Sequence, residues 1–208
     1  MPEEEEKLII VDTNCFVRLF LSDLQPILMR PLPGYRLRTL EVLVKETRPR
    51  TRLGDKHAWL NQKEIQDELK QATLELSQED RDEYQAWEAH YAASAKVLID
   101  TYCREKGLEP RSLSKPDVQA LFYAGYLPDA LLATDEWPLR MAAERLIEPA
   151  IEVWSTLDLV KLLENAGLFT ADARRTLVKR WLQEDEWLPW GWRAQHEQLF
   201  GENPPTVQ

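Results

Sequence analysis

A three-layer α/β/α fold around a mostly parallel central sheet is predicted by three observations. Residues 8–11, Leu-Ile-Ile-Val, form a short continuous apolar run of the kind that makes a strand buried on both faces. A second such run at residues 130–134 ends, like the first, in acidic residues followed by a helical pattern. Strand and helix signals then alternate, which requires helices on both faces of the sheet. With 208 residues and 44% hydrophobic side chains, the chain can build one substantial core, so a single domain over residues 1–208 is expected. Its core would cover about residues 8–160, with a helical hairpin insertion at about 61–106 and extra C-terminal helices over about 157–208.

The first strand passes through Asp12-Thr13-Asn14 into the apolar stretch 15–21, giving strand, acidic turn and helix. Pro26, Pro31, Pro33 and Gly34 punctuate a loop, and residues 40–47 form a short helix closed before Pro49, carrying Glu46. From 61 to 106 the pattern is helical, with Asn61 and Glu64 as one capping box and Ser77 with Asp80 as a weaker relative. The second arm would reach about 40 Å unbroken, with Gly107 ending it. Ser114-Lys115-Pro116-Asp117 opens the next helix, with serine as cap, proline in the first turn and aspartate near the positive end of the dipole. After the second strand comes a helix over 138–146, a last strand over 151–154, and helices over 157–166 and 171–182 separated by Gly167 and Thr170.

The net charge of −10 excludes a broad basic coat for nucleic acid, although local basic residues remain. Arg36, Arg38, Arg48, Arg50 and Arg52 form one cluster, and Arg174, Arg175, Lys179 and Arg180 a second. Each reads as a solvated face or as a set of phosphate contacts. Cys15 and Cys103 lie too far apart in sequence for paired metal-ligand spacing and are expected to be reduced thiols, Cys15 buried. No apolar run approaches the roughly 20 residues of a membrane span, and residues 1–7 are acidic where a secretory signal is basic, so a soluble cytoplasmic protein is expected. His57, His90 and His196 lack ligand spacing. The tryptophan-rich tail, Trp181, Trp187, Trp190 and Trp192, reads first as a packing patch or partner surface, although indoles can also stack on bases.

In an open parallel sheet the working surface lies at the carboxyl ends of the strands. Asp12 and the Asp135-Glu136 pair fall on that edge, Asp117 opens a helix at an end of the sheet, and Glu46 rides on a short helix able to lean over it. Taken singly, Asp12 and Asp117 read as helix caps and Glu46 as a surface glutamate. Their order and strand-end positions together point to a shared acidic site. Carboxylates suit hard cations, so Mg²⁺ or Mn²⁺ could be held without histidine or cysteine and could activate water toward a phosphate.

The stretch LIIVDTNCFVRL at residues 8–19 resembles the opening strand and D-T-N turn of PIN-domain proteins, including VapC-type toxins. Residues 113–139, LSKPDVQALFYAGYLPDALLATDEWPL, are similar to that family's second half, where an aspartate starts a helix and a strand ends in T-x-D. The resemblance implies Asp12, Glu46, Asp117 and the T-x-D acid as metal ligands, with Asn14 or Thr134 positioning them. Counting from Thr134 puts Glu136 in the acid position and Asp135 in the variable one, and either can coordinate metal. The implied activity is a metal-dependent endonuclease, most simply an endoribonuclease acting on RNA. The toxin of a toxin-antitoxin pair is the implied setting, with an antitoxin protein as partner and a homodimer as the assembly. Arg48, Arg50 and Arg52 are the nucleic-acid candidates. A PIN-like interaction protein with little or no catalysis is the alternative, favoured by the acidic charge and by Glu136. A haloacid-dehalogenase-type phosphatase is discounted, because its second aspartate is Asn14 here.

Overall fold

The four consecutive apolar residues that announce β1 (Lys7–Val11) are all buried, as the middle of a sheet covered on both sides requires. The computed structural model describes residues 6–184 and 186–206, with all their side chains except that of Arg52. β1 pairs in parallel with β2 (Tyr35–Arg38) on one side and β3 (Leu131–Ala133) on the other, and β3 pairs in parallel with β4 (Val153–Trp154). The strand order is therefore β2-β1-β3-β4.

That order fixes the layers. The chain leaves β1 through α1 (Thr13–Phe20) toward β2, and leaves β3 through α7 (Trp137–Leu146) in the opposite direction, toward β4. Right-handed crossovers put two such helices on opposite faces. α1 packs against α8 (Thr156–Asn165), which in turn carries α10 (Trp192–Phe200). α5 (Gln78–Lys106) and α6 (Lys115–Tyr126) pack on each other and on α7. The result is the expected α/β/α sandwich. The carboxyl ends of β1 and β3, where the connections diverge, form the topological switch point at which open sheets place their sites.

β2 was hidden in the sequence as part of a proline-marked loop. Only Leu37 of Tyr-Arg-Leu-Arg is buried, because this strand lies at the edge of the sheet and carries charge outward. Two short helices follow: α2 (Glu41–Lys45), with Glu46 as its C-cap, and α3 (Arg52–Lys56).

The helical hairpin is not formed as two arms packed together. α4 (Lys63–Ala72) lies against α2, whereas α5 joins α6 and α7. Between them the chain runs along the end of β2, with Thr39 N–H donating to Ala72 O at 2.9 Å and Leu74 N–H to Thr39 O at 2.8 Å. The cap of α4 is Gln62 rather than Asn61, whose amide donates instead to Ala58 O at 3.3 Å. Ser77 and Asp80, by contrast, make a full capping box, and Gly107 closes α5 in the left-handed region at φ 63°. The 29 residues of α5 extend about 44 Å. α9 (Ala171–Gln183) starts at the Thr170 cap, and α10 is an element that no separate sequence signal marked. Cys15 and Cys103 are both buried and free. Among the described residues no helix is long and apolar enough to cross a membrane.

Candidate active site

Asp12 follows β1 directly and caps α1. Its Oδ1 accepts from Thr13 N–H at 2.7 Å, and its Oδ2 accepts from the Thr134 hydroxyl at 2.9 Å. The sheet register makes this meeting possible: Val11 lies opposite Ala133, so Asp12 and Thr134 leave adjacent strands at the same level. Asp12 is 2% exposed.

The two residues after Asp12 each fix another acid. The Thr13 hydroxyl donates to Glu46 Oε2 at 2.6 Å, bringing the end of α2 over the switch point. The Asn14 amide donates to Glu136 Oε1. Glu136 is steadied further by its own N–H, which donates to Thr134 Oγ1 at 3.1 Å. Asp-Thr-Asn therefore supplies one carboxylate and holds two more. Asp117 comes from the first turn of α6, where its Oδ2 accepts from Ser114 N–H at 2.7 Å and its own N–H donates to Ser114 Oγ at 3.2 Å. Capping and site membership are compatible at both aspartates, because a cap uses only part of a carboxylate's acceptor capacity.

The electrostatics tie the four acids into one group. Burial raises the pKa of Asp12 well above the usual carboxylate range, and the charges of Asp117 and Glu136 push it further up. Burial and the Asp117 charge raise Glu46 and Glu136, with the Thr13 hydroxyl and the Asn14 amide respectively working against that rise. Asp117 is raised by burial, against the lowering effect of its bonds to Ser114. Among the described residues, none of these four carboxylates is in an ion pair with lysine or arginine.

Asp135 does not belong to this group, which corrects its place among the expected metal ligands. Its Oδ2 takes the guanidinium of Arg18 and the hydroxyl of Thr156, and its Oδ1 accepts from Thr156 N–H at 3.1 Å. Adjacent residues leaving a strand face opposite ways. Glu136 turns to the acids and Asp135 turns into the core. Thr13, Arg18 and Thr156 were all missed as supports; only Thr13 carried a local signal, as the middle residue of the D-T-N turn.

The basic clusters divide. Arg48 and Arg50 are exposed on the loop after Glu46, while the side chain of Arg52 lies outside the described part. In the second cluster, Arg174 pairs with Glu164 and Glu202, Arg175 with Asp172 and Glu202, and Arg180 with Asp23. Those charges fasten α9 to its surroundings and are spent there; Lys179 is exposed.

A divalent cation fits this site in donor type and in charge. The available groups are hard oxygens, and among the described residues the only opposing positive charge acting on them is that of Arg18 on Glu136, which makes no ion pair with it. Among those residues no three acids stand at spacings that would close around one ion.

Any divalent cation held by these acids should bind more tightly as pH rises. A raised pKa means that the folded state holds more protons than the unfolded state above about pH 4, so these groups lose their stabilising contribution as pH rises through their folded values. A bound cation competes with those protons. The gain in Tm on adding Mn²⁺ or Mg²⁺ is therefore expected to be small near about pH 5 and several-fold larger near about pH 8. Thermal unfolding in EDTA and in each metal checks this, and a gain that is flat or falls with pH would contradict it.

Compared with protein-family profiles, curated proteins and solved structures, the chain matches none.

Proposed function

We propose that the acids at the β1–β3 edge form a divalent-metal centre that hydrolyses nucleic-acid phosphodiesters. The observation that carries this reading is that Thr13, Asn14 and Thr134 hold Asp12, Glu46 and Glu136 together at the sheet edge, with the Asp117 charge acting on all three and no pairing cation among the described residues. Such a group is costly unless a ligand neutralises it, because like-charged buried carboxylates raise one another's pKa. When bound, the metal would offset charge on the phosphate and acidify a water. Asp12 and Glu136 would hold it through oxygens whose direction Thr134 and Asn14 fix. Asp117 and Glu46 would hold its waters or a second ion, with Thr13 positioning Glu46. Glu136 replaces the shorter acid of the PIN pattern, and the bond from Asn14 gives its longer side chain a defined position.

RNA as substrate, a cytoplasmic setting and the role of a toxin opposed by an antitoxin extend this reading from the PIN resemblance of residues 8–19 and 113–139. The test is to strip the protein of metal and offer single- and double-stranded RNA and DNA with Mn²⁺ or Mg²⁺. Internal cleavage of RNA that EDTA abolishes is expected. No cleavage of any of the four substrates with either ion would overturn the nuclease reading.

A second reading, a metal-poor interaction protein, is favoured by the spacing of the acids and by the net charge of −10. It predicts no gain in Tm with either ion and no cleavage.

A further inference from the structure

Residues 186–192 form a strap that is pinned to α1 and to the end of α3. The Glu186 carboxylate, 5% exposed, meets Lys56 Nζ at 2.8 Å and His57 Nε2 at 3.1 Å, and lies 3.9 Å from Arg18 Nε. The carbonyl of Trp187 accepts from the Arg18 guanidinium, whose other arm holds Asp135, the chain neighbour of Glu136. Leu188, Pro189 and Trp192 line a small cavity together with Asp135 and Thr156. Fixed in this way, the strap turns two indoles outward: Trp187 is 59% exposed and Trp190 is fully exposed at 100%. Trp181, a few residues earlier, is buried and donates its indole N–H to Arg18 O at 2.9 Å, so the tail separates a packing tryptophan from two presented ones. Exposed indoles forgo the free energy that burial would give them, and an exposed aromatic pair on a held backbone marks a contact surface.

The surroundings indicate what the surface contacts. Lys56 ends α3, and the loop before α3 carries Arg48 and Arg50, both exposed and free of ion pairs among the described residues. That loop starts at Glu46, one of the four acids. The strap that presents the indoles is thus tied, through the Glu186–Lys56 ion pair, to the cationic segment that leads away from Glu46.

We infer that Trp187 and Trp190 are a stacking platform for the bases of a single-stranded nucleic acid whose phosphates pass Arg48 and Arg50 on the way to the acids. The inference rests on the nuclease reading for its direction toward the site. Indoles stack on any base, so the platform takes unpaired strands with little sequence preference, and a duplex, whose bases already stack on one another, gains nothing from it.

The test uses full-length Asp12→Asn protein and a fluorescent single strand of uridines or thymidines, about 12 nucleotides long, together with the matching duplexes. Anisotropy and tryptophan emission are read without divalent metal. Single strands are expected to bind more tightly than duplex and to quench emission. Trp187→Ala and Trp190→Ala should each weaken binding about 10-fold at unchanged Tm, with Trp187→Phe restoring part of the loss. Equal affinity for duplex, no binding of either strand, or a double variant that binds as well as its parent would overturn the platform. So would substitutions that change only self-association, which would make the strap a protein interface. A protein that binds and quenches yet never cleaves defeats the nuclease reading alone. One that cleaves with KM unmoved by both substitutions defeats the platform alone.

Discussion

Asp12→Asn is expected to lower divalent-dependent cleavage by more than about 100-fold, beyond the upper range for residues that only support a metal ligand. The same change should make the metal-free protein more stable at neutral pH. The two effects share one origin. Asparagine caps a helix as well as aspartate does, so the bond from Thr13 N–H to Oδ1 survives. The Thr134 hydroxyl now faces Nδ2 and must turn to accept, which it can do because a hydroxyl carries two lone pairs. What disappears is a buried negative charge that Asp117 and Glu136 repel. The folded protein no longer has to bind a proton at that position or tolerate the charge. The difference in Tm between variant and wild type in EDTA should therefore be largest above neutrality. It should shrink toward about pH 4, where wild-type Asp12 holds its proton. Wild-type-like cleavage by the variant, or a metal-free variant less stable than wild type at neutral pH, would remove Asp12 from the centre.

What the sequence makes legible follows from how local each signal is. β1 shows itself as four apolar residues, and the Ser77–Asp80 and Ser114–Asp117 boxes lie within single turns, so each can be read without knowing the fold. β2 could not be read that way, because an edge strand with one buried residue lacks both periodicity and an apolar run. The pairing of α4 with α2, in place of a hairpin with α5, depends on the parallel bridge between Thr39 and Thr73, which joins distant segments. The acidic site was legible as a set of strand ends and helix starts. Its supports were less so: the T-x-D spacing puts Glu136 in the acid position, and that residue is the one beside Asn14. Nothing near Asp135 in sequence reveals that it is taken by Arg18, which lies on α1. Arg18 itself reads as one more charged residue on a short helix, although it is 2% exposed and joins β3, α1 and the strap.

Asp135 and Glu136 therefore offer the sharpest contrast in the molecule, since two adjacent acids should fail in opposite ways. Asp135→Ala removes the principal partner of a buried guanidinium and the acceptor of both Thr156 bonds. Breaking a buried pair from one side costs about 3–5 kcal/mol, because the remaining charge stays desolvated. Here the lower end applies, since Glu186 stands 3.9 Å from Arg18 Nε and retains part of the compensation. The variant should unfold at lower temperature with or without metal, and any cleavage should fall only as far as the folded fraction falls. Glu136→Gln should do the reverse. It keeps the length of the side chain, removes a charge that Asp117 and Glu46 repel, and leaves Arg18 paired. The metal-free protein should be as stable as wild type or more so at neutral pH, while the gain in Tm from Mn²⁺ and the cleavage that accompanies it are lost. Circular-dichroism melts with and without Mn²⁺, run beside a cleavage assay normalised to folded protein, separate the two. If Asp135→Ala abolished cleavage in protein that remained fully folded, or if Glu136→Gln kept both metal response and activity, the roles assigned to the pair would have to be exchanged. The centre would then be built on the shorter acid after all.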